Sequence, residues 1–105
     1  MPGRLANKIV LITGAAAARG LGAAQARLFA AEGAHVIVSD IDDAQGEARV
    51  REICAAGGGA EYLPLDVTDE AAWQAAMVGI LARHGRLDVL SNNAGVFAIE
   101  DVEST

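Results

Sequence analysis

An α/β fold is predicted, with an open, doubly wound parallel sheet of which this chain supplies the first half. Three observations predict it. Four short strand-like runs, the first continuously apolar and rich in β-branched residues, alternate with three longer segments of helical character. The connections between them are short. Glycines or helix-capping side chains mark the switches from one kind of segment to the other. The resulting β-α-β-α-β-α-β order calls for right-handed crossovers and helices on both faces of the sheet. The strand order expected is 3-2-1-4.

Each element has its own warrant. Lys8 to Thr13, KIVLIT, is a continuous apolar run, as expected of a strand buried on both faces. Gly20 to Glu32 is alanine-rich, with Leu21 and Leu28 seven apart, and Gly33 follows as a stop. Ala34 to Asp40 is a second buried strand. Asp43 to Ala56 forms a second helix with Asp42 or Asp43 as N-cap, and Gly57-Gly58-Gly59 ends it. Ala60 to Leu65 is a third strand. Thr68 is expected to cap a third helix, with Asp69 and Glu70 favouring the positive end of its dipole. Trp73, Met77, Ile80 and Leu81 share one face of that helix, and Gly85 ends it. Leu87 to Asn92 is the fourth strand, and Gly95 to Thr105 reads as loop entering a further helix.

The 105 residues suit one domain, residues 1–105. A chain of this size buries roughly 65% of its unfolded surface. The formal charge of −6 comes with a single lysine, Lys8, so no basic stripe exists to meet nucleic acid or an anionic membrane. No apolar run approaches the ~18 residues that span a bilayer, and a cytoplasmic protein is expected. Cys54, the one cysteine, is expected to be a buried, inert thiol. No residue is assigned as a metal ligand.

The residues that carry chemistry fall at the carboxyl ends of the four strands, where the ligand crevice of such a sheet lies. After the first comes TGAAAARGLG, from Thr13 to Gly22. Glycines there let backbone N–H groups approach a pyrophosphate, and the following helix start favours negative charge. Gly14, Gly20 and Gly22 form this loop, and Arg19 adds a direct charge. Asp40, eighteen residues beyond Gly22, ends the second strand. A carboxylate there accepts from ribose hydroxyls and repels a 2′-phosphate, which favours NAD over NADP. Asp66 follows the third strand and is read as an acceptor for the adenine amino group. Asn92-Asn93-Ala94-Gly95 ends the fourth. Its amides both donate and accept, and so can stitch neighbouring strand ends together. Gly95 leaves room for a ring or ribose against the backbone.

Together these residues resemble the short-chain dehydrogenase/reductase family, whose fold is Rossmann-like. The resemblance rests on Thr13-Gly14…Gly20-Leu21-Gly22, Asp40 in VSDID, Asp66-Val67 in LDVTD, and Asn92-Asn93-Ala94-Gly95, and spans nearly all of the chain. It implies an NAD(P)-binding domain of an oxidoreductase acting on a small-molecule alcohol or carbonyl, and a homo-oligomeric complete protein. It implies that Arg19 and Leu21 line the pyrophosphate, that Asp40 and Ile41 hold the ribose, and that Asp66 and Val67 hold the adenine. Asn92, Ala94 and Gly95 would flank the nicotinamide-side ribose.

Three departures from the family pattern matter. Five residues rather than three separate Gly14 from Gly20. The helix start is expected to survive this, with a longer, looser loop and weakened NAD binding. Ser91 stands where the family usually has a small apolar residue. Finally, the family's Tyr-x-x-x-Lys pair is missing: Tyr62 is the one tyrosine, and Asp66 lies four residues on. No catalytic residue is assigned. The chain is therefore expected to be the NAD-binding half of a longer enzyme, inactive alone. The apolar fourth strand would otherwise be an exposed sheet edge. A stand-alone module that binds or senses NAD is the alternative.

Overall fold

The structure is a computed structural model and describes residues 4–93. Its elements run β1 (Ile9–Thr13), α1 (Leu21–Ala31), β2 (His35–Asp40), α2 (Asp43–Ala55), β3 (Gly59–Pro64), α3 (Glu70–His84) and β4 (Val89–Asn92). The four strands form one parallel sheet in the order β3-β2-β1-β4, as the sequence predicts. The register is set by Ile9 opposite His35, Leu11 opposite Leu90, and Ile37 opposite Glu61. The loop expected from Gly95 onward lies outside the described residues.

The sheet carries a core on each face. On one side Val10, Ile12, Val36 and Val38 pack against Ala26 and Ala30 of α1 and Ile53 of α2. On the other, Ile9, Leu11 and Ile37 pack against Ile80, with Trp73 and Met77 of α3 alongside. β1 is buried along its whole length because it is covered on both faces and paired on both edges. That is why its sequence is continuously apolar rather than alternating.

Three expectations need correction. On α1, Gly22, Ala23, Ala26 and Ala30 are buried while Leu21 and Leu28 are largely exposed. Small residues win there because they bring the helix backbone close to the strands. Leu81, expected on the apolar face of α3 with Ile80, is half exposed, while Ile80 is fully buried. Thr68 is not the cap of α3. Asp69 is, accepting from the Ala72 N–H at 3.1 Å, whereas Thr68 bonds Asp66 in the turn before. Cys54 is exposed, because the adjacent Ile53 takes the inward face of α2. Other features match: Asp42 caps α2, and Gly33 and Gly85 follow α1 and α3 with φ of 96° and 77°. Among the described residues no helix is long and apolar enough to cross a membrane.

Candidate dinucleotide-binding site

The parallel strands all end on one side of the sheet, and the sequence-predicted residues gather there. Thr13 ends β1, Asp40 ends β2, and Asn92 ends β4; Asp66 follows two residues after β3. Ala94 and Gly95 lie outside the described residues.

The loop after β1 is compact. Gly14 takes φ 63°, the left-handed region that glycine adopts without strain. Ala15 and Ala16 are buried, and the Ala15 N–H donates to Ser39 O on β2. Ala17 to Gly20 then form a turn closed by the Gly20 N–H on Ala17 O at 2.9 Å. Every alanine of the loop keeps a negative φ, since Asn7 is the one described non-glycine residue with a positive value. The extra length is thus absorbed by burying two alanines and tightening a turn, not by a loose bulge. A Cβ at Gly22 would run into the carbonyl of Gly14, so glycine there lets α1 start directly against the end of β1.

The start of α1 differs chemically from the other two helix starts. α2 and α3 are capped by the side chains of Asp42 and Asp69, and each has an acid in its first turn. α1 begins at Gly20 with no side-chain cap and no acid in its first turn. Its leading N–H groups keep their partial positive charge for a ligand, and an anion is the ligand that suits them. Arg19, exposed, stands immediately before. Leu21 is also exposed at this end.

Asp40 is half-buried, and its carboxylate ties three segments together. Oδ1 accepts from the N–H of Ile41 at 2.7 Å and of Asp42 at 3.2 Å, and Oδ2 accepts from the N–H of Ala16 at 3.1 Å. A carboxylate offers about four acceptor positions, so roughly one remains on Oδ2 while Ala16 holds the other. Ile41 beside it is exposed. Asp66 is exposed; its Oδ1 accepts from both the N–H and the hydroxyl of Thr68. Those two bonds hold its carboxyl below the ordinary value, so it stays an acceptor at neutral pH. Val67 is half-buried beside it.

Asn92 and Asn93 join β4 to β1 through Thr13. The Thr13 hydroxyl donates to Asn92 Oδ1 at 2.6 Å and accepts from the Asn93 N–H at 3.0 Å. Asn93 Nδ2 donates to Gln25 Oε1 at 2.8 Å, and the Ser91 hydroxyl donates to the same oxygen at 2.6 Å. Ser91, the departure from the family's apolar residue, therefore helps fix α1 against β4. Gln25 was not singled out from sequence. Only the third dimension brings Gln25 to within reach of residues 66 and 68 positions away.

Tyr62 is not poised as a proton donor or acceptor for a substrate. Its hydroxyl lies 2.6 Å from Asp43 Oδ1 and 2.9 Å from the Asp40 carbonyl. Partial burial, the Asp43 hydrogen bond and nearby carboxylates all push its pKa up. A β3-β2-β1-β4 parallel sheet with a bare helix start, a glycine turn and a carboxylate at the next strand end belongs to the Rossmann-like class of α/β proteins.

The comparisons place the chain within that class. The family model described as short chain dehydrogenase matches residues 8–105, and the chain belongs to the short-chain dehydrogenase/reductase family. It is 49% identical over 96 residues to 2,5-dichloro-2,5-cyclohexadiene-1,4-diol dehydrogenase of Sphingobium indicum, covering 91% of this chain and 38% of that protein. It is 45% identical over 103 residues to cyclopentanol dehydrogenase of a Comamonas species, covering 98% and 40%. A metagenomic short-chain oxidoreductase solved in complex with NADP superposes with a TM-score of 0.82 at 46% identity, covering 88% of this chain and 41% of its own. The chain thus spans about two fifths of the length of the relatives it matches.

Proposed function

We propose that this chain is the NAD-binding part of an oxidoreductase that moves hydride between NAD(H) and a small-molecule alcohol or carbonyl. The observation that carries this reading is Asp40. Its carboxylate ends β2 and reaches across to the loop that leads into the bare start of α1. The bound nicotinamide would supply or accept the hydride. The chain's own residues bind and orient it. The first turn of α1, with Gly14, Gly20, Gly22, Arg19 and Leu21, receives the pyrophosphate. Asp40 and Ile41 take the adenosine ribose. Asp66 and Val67 take the adenine. Asn92, Ala94 and Gly95 flank the second ribose.

Asp40 decides between the two nicotinamide cofactors. It accepts from a free 2′-hydroxyl, whereas a 2′-phosphate brings about −1.5 to −2 charges against its carboxylate. A neighbour solved with NADP means that the fold alone does not make this choice.

Binding and turnover are separable in this reading. The family's acid/base pair is a tyrosine with a lysine four residues on, and these 105 residues contain no such pair. Tyr62, held by Asp43, does not substitute for it. The purified chain should bind NAD in a calorimeter and should not oxidise any of a panel of secondary alcohols. Substantial turnover would refute the division of labour. Absence of any NAD binding would refute the site.

A further inference from the structure

The amino end of the sheet carries a second cluster of chemistry, remote from the crevice. His35 is the first residue of β2, and Asp40, its last, is five positions on, about 16 Å along the strand. Glu61 lies opposite Ile37 in the register of β3 with β2, so its side chain shares a face with those of Ile37 and His35. That face is covered by α3, and His84 is the last residue of α3. Three elements thereby deliver three ligand-bearing side chains to one place.

Their geometry is convergent. His35 Nε2 and His84 Nε2 each lie 2.7 Å from the same carboxylate oxygen, Glu61 Oε1. The two imidazole centroids are 5.0 Å apart, and the three ligand atoms all fall within 4.8 Å of one another. All three residues are half-buried. Arg83 donates to the other oxygen, Oε2, at 3.0 Å, and so turns Oε1 toward the histidines. Such support of a ligating carboxylate by a second hydrogen bond is what orients metal ligands. Glycine at 59 keeps the outer side of His35 clear: a Cβ there would stand 3.3 Å from Nδ1.

We propose that His35, Glu61 and His84 form a binding site for a borderline divalent metal ion, zinc in particular. Two imidazoles and one carboxylate suit Zn²⁺, Co²⁺ or Ni²⁺, whereas Mg²⁺ and Ca²⁺ favour all-oxygen shells. A tetrahedral ion about 2.1 Å from each ligand sets the ligand atoms roughly 3.4 Å apart. The two 2.7 Å legs must therefore open by about 0.7 Å, a small side-chain adjustment. Water completes the fourth position. The ion replaces the two N–H donors now aimed at Glu61, and each histidine carries its proton on Nδ1 instead. The site binds the end of α3 to β2 and β3, so it acts as a clip on the fold and stands apart from the cofactor reading.

The test uses the whole chain carrying Cys54→Ser, so that the exposed thiol takes no part. Co²⁺ titration should saturate at one equivalent with visible ligand-field bands, and Zn²⁺ should displace it. A hundredfold excess of Zn²⁺ over its Kd should raise the thermal midpoint by roughly 10 °C. His84→Gln and Glu61→Gln should each weaken binding at least tenfold with an unchanged circular dichroism spectrum. Should either variant fold poorly, the chain's only two histidines give the answer in the parent protein. The ring resonances of both must shift together with one equivalent of Zn²⁺. The absence of one-equivalent binding, undiminished affinity in a folded His84→Gln, or a shift of one histidine alone would overturn the proposal.

Discussion

The two ends of the sheet are built differently. At the carboxyl end, the groups read from sequence are backbone and residues at short spacings, although Thr13 and Asn92, 79 positions apart, also meet there. The glycine turn, the uncapped start of α1 and Asp40 all lie within 28 positions of one another along the chain, from Thr13 to Asp40. At the amino end, chemistry is carried by side chains that meet only in the fold. His35 and His84 are 49 positions apart, and Asp88 reaches back 79 positions to the Ile9 N–H at 2.8 Å. A parallel sheet explains the asymmetry. β1, β2 and β3 each lead at their carboxyl ends through a turn to a helix start, and of these the start of α1 alone is left without a side-chain cap or an acid, which suits an anion. The amino ends have no such common device, and each contact there is particular to this sequence.

Substitutions at the two ends can break or sharpen that contrast. The largest effect is expected at Gly22, where any side chain collides with the Gly14 carbonyl. Gly22→Val should cost about 1–3 kcal/mol in urea unfolding, as overpacking generally does, and should abolish NAD binding with it. Next is Asp40→Ala. Losing charge-assisted bonds to a ribose is worth roughly 1.5–3 kcal/mol, so calorimetry should find NAD affinity down by about 10–150-fold. NADP affinity should hold or rise.

A smaller gain is expected from shortening the loop. Removing Ala17 and Ala18, both exposed, should withdraw the Ala16 N–H from Asp40 Oδ2 and return an acceptor to the ribose. One hydrogen bond of about 1 kcal/mol makes NAD binding roughly fivefold tighter. Unchanged affinity would mean that the added residues are harmless.

The smallest effect belongs to the amino end. Asp88 bonds Arg86 and the Ile9 N–H, and these hold its carboxyl below the ordinary carboxylate value. A depressed pKa in the folded state contributes stability above the unfolded value, near 3.9, that is lost as pH falls through the folded one. Asp88→Asn should therefore lower the thermal midpoint at pH 7 and flatten its decline on acidification. It should leave NAD affinity unchanged, because the crevice is at the other end.

How far the sequence could be read follows the same division. The sheet order is legible because four strand-like runs alternate with three helical segments, two of those strands, β1 and β2, being buried apolar runs. The positions of Asp40 and Asn92 followed because each stands at the end of such a run. The buried face of α1 is not legible from sequence, since glycine and alanines occupy it while the leucines lie outside. Thr68 and Asp69 are both good caps, and only backbone geometry assigns the task to Asp69. Ser91 and Gln25 gave no local sign of their partnership. The pairing of His35 with His84 through Glu61 needs the register of β2 with β3 and the length of α3 together. No spacing rule contains both.

The central claim is that Asp40 makes the crevice an NAD site. Titrating the chain with NAD and with NADP under identical conditions tests it most directly. NAD should bind at least tenfold more tightly, and Asp40→Ala should erase the difference. Equal affinities in the unaltered chain, or tighter binding of NADP, would contradict it.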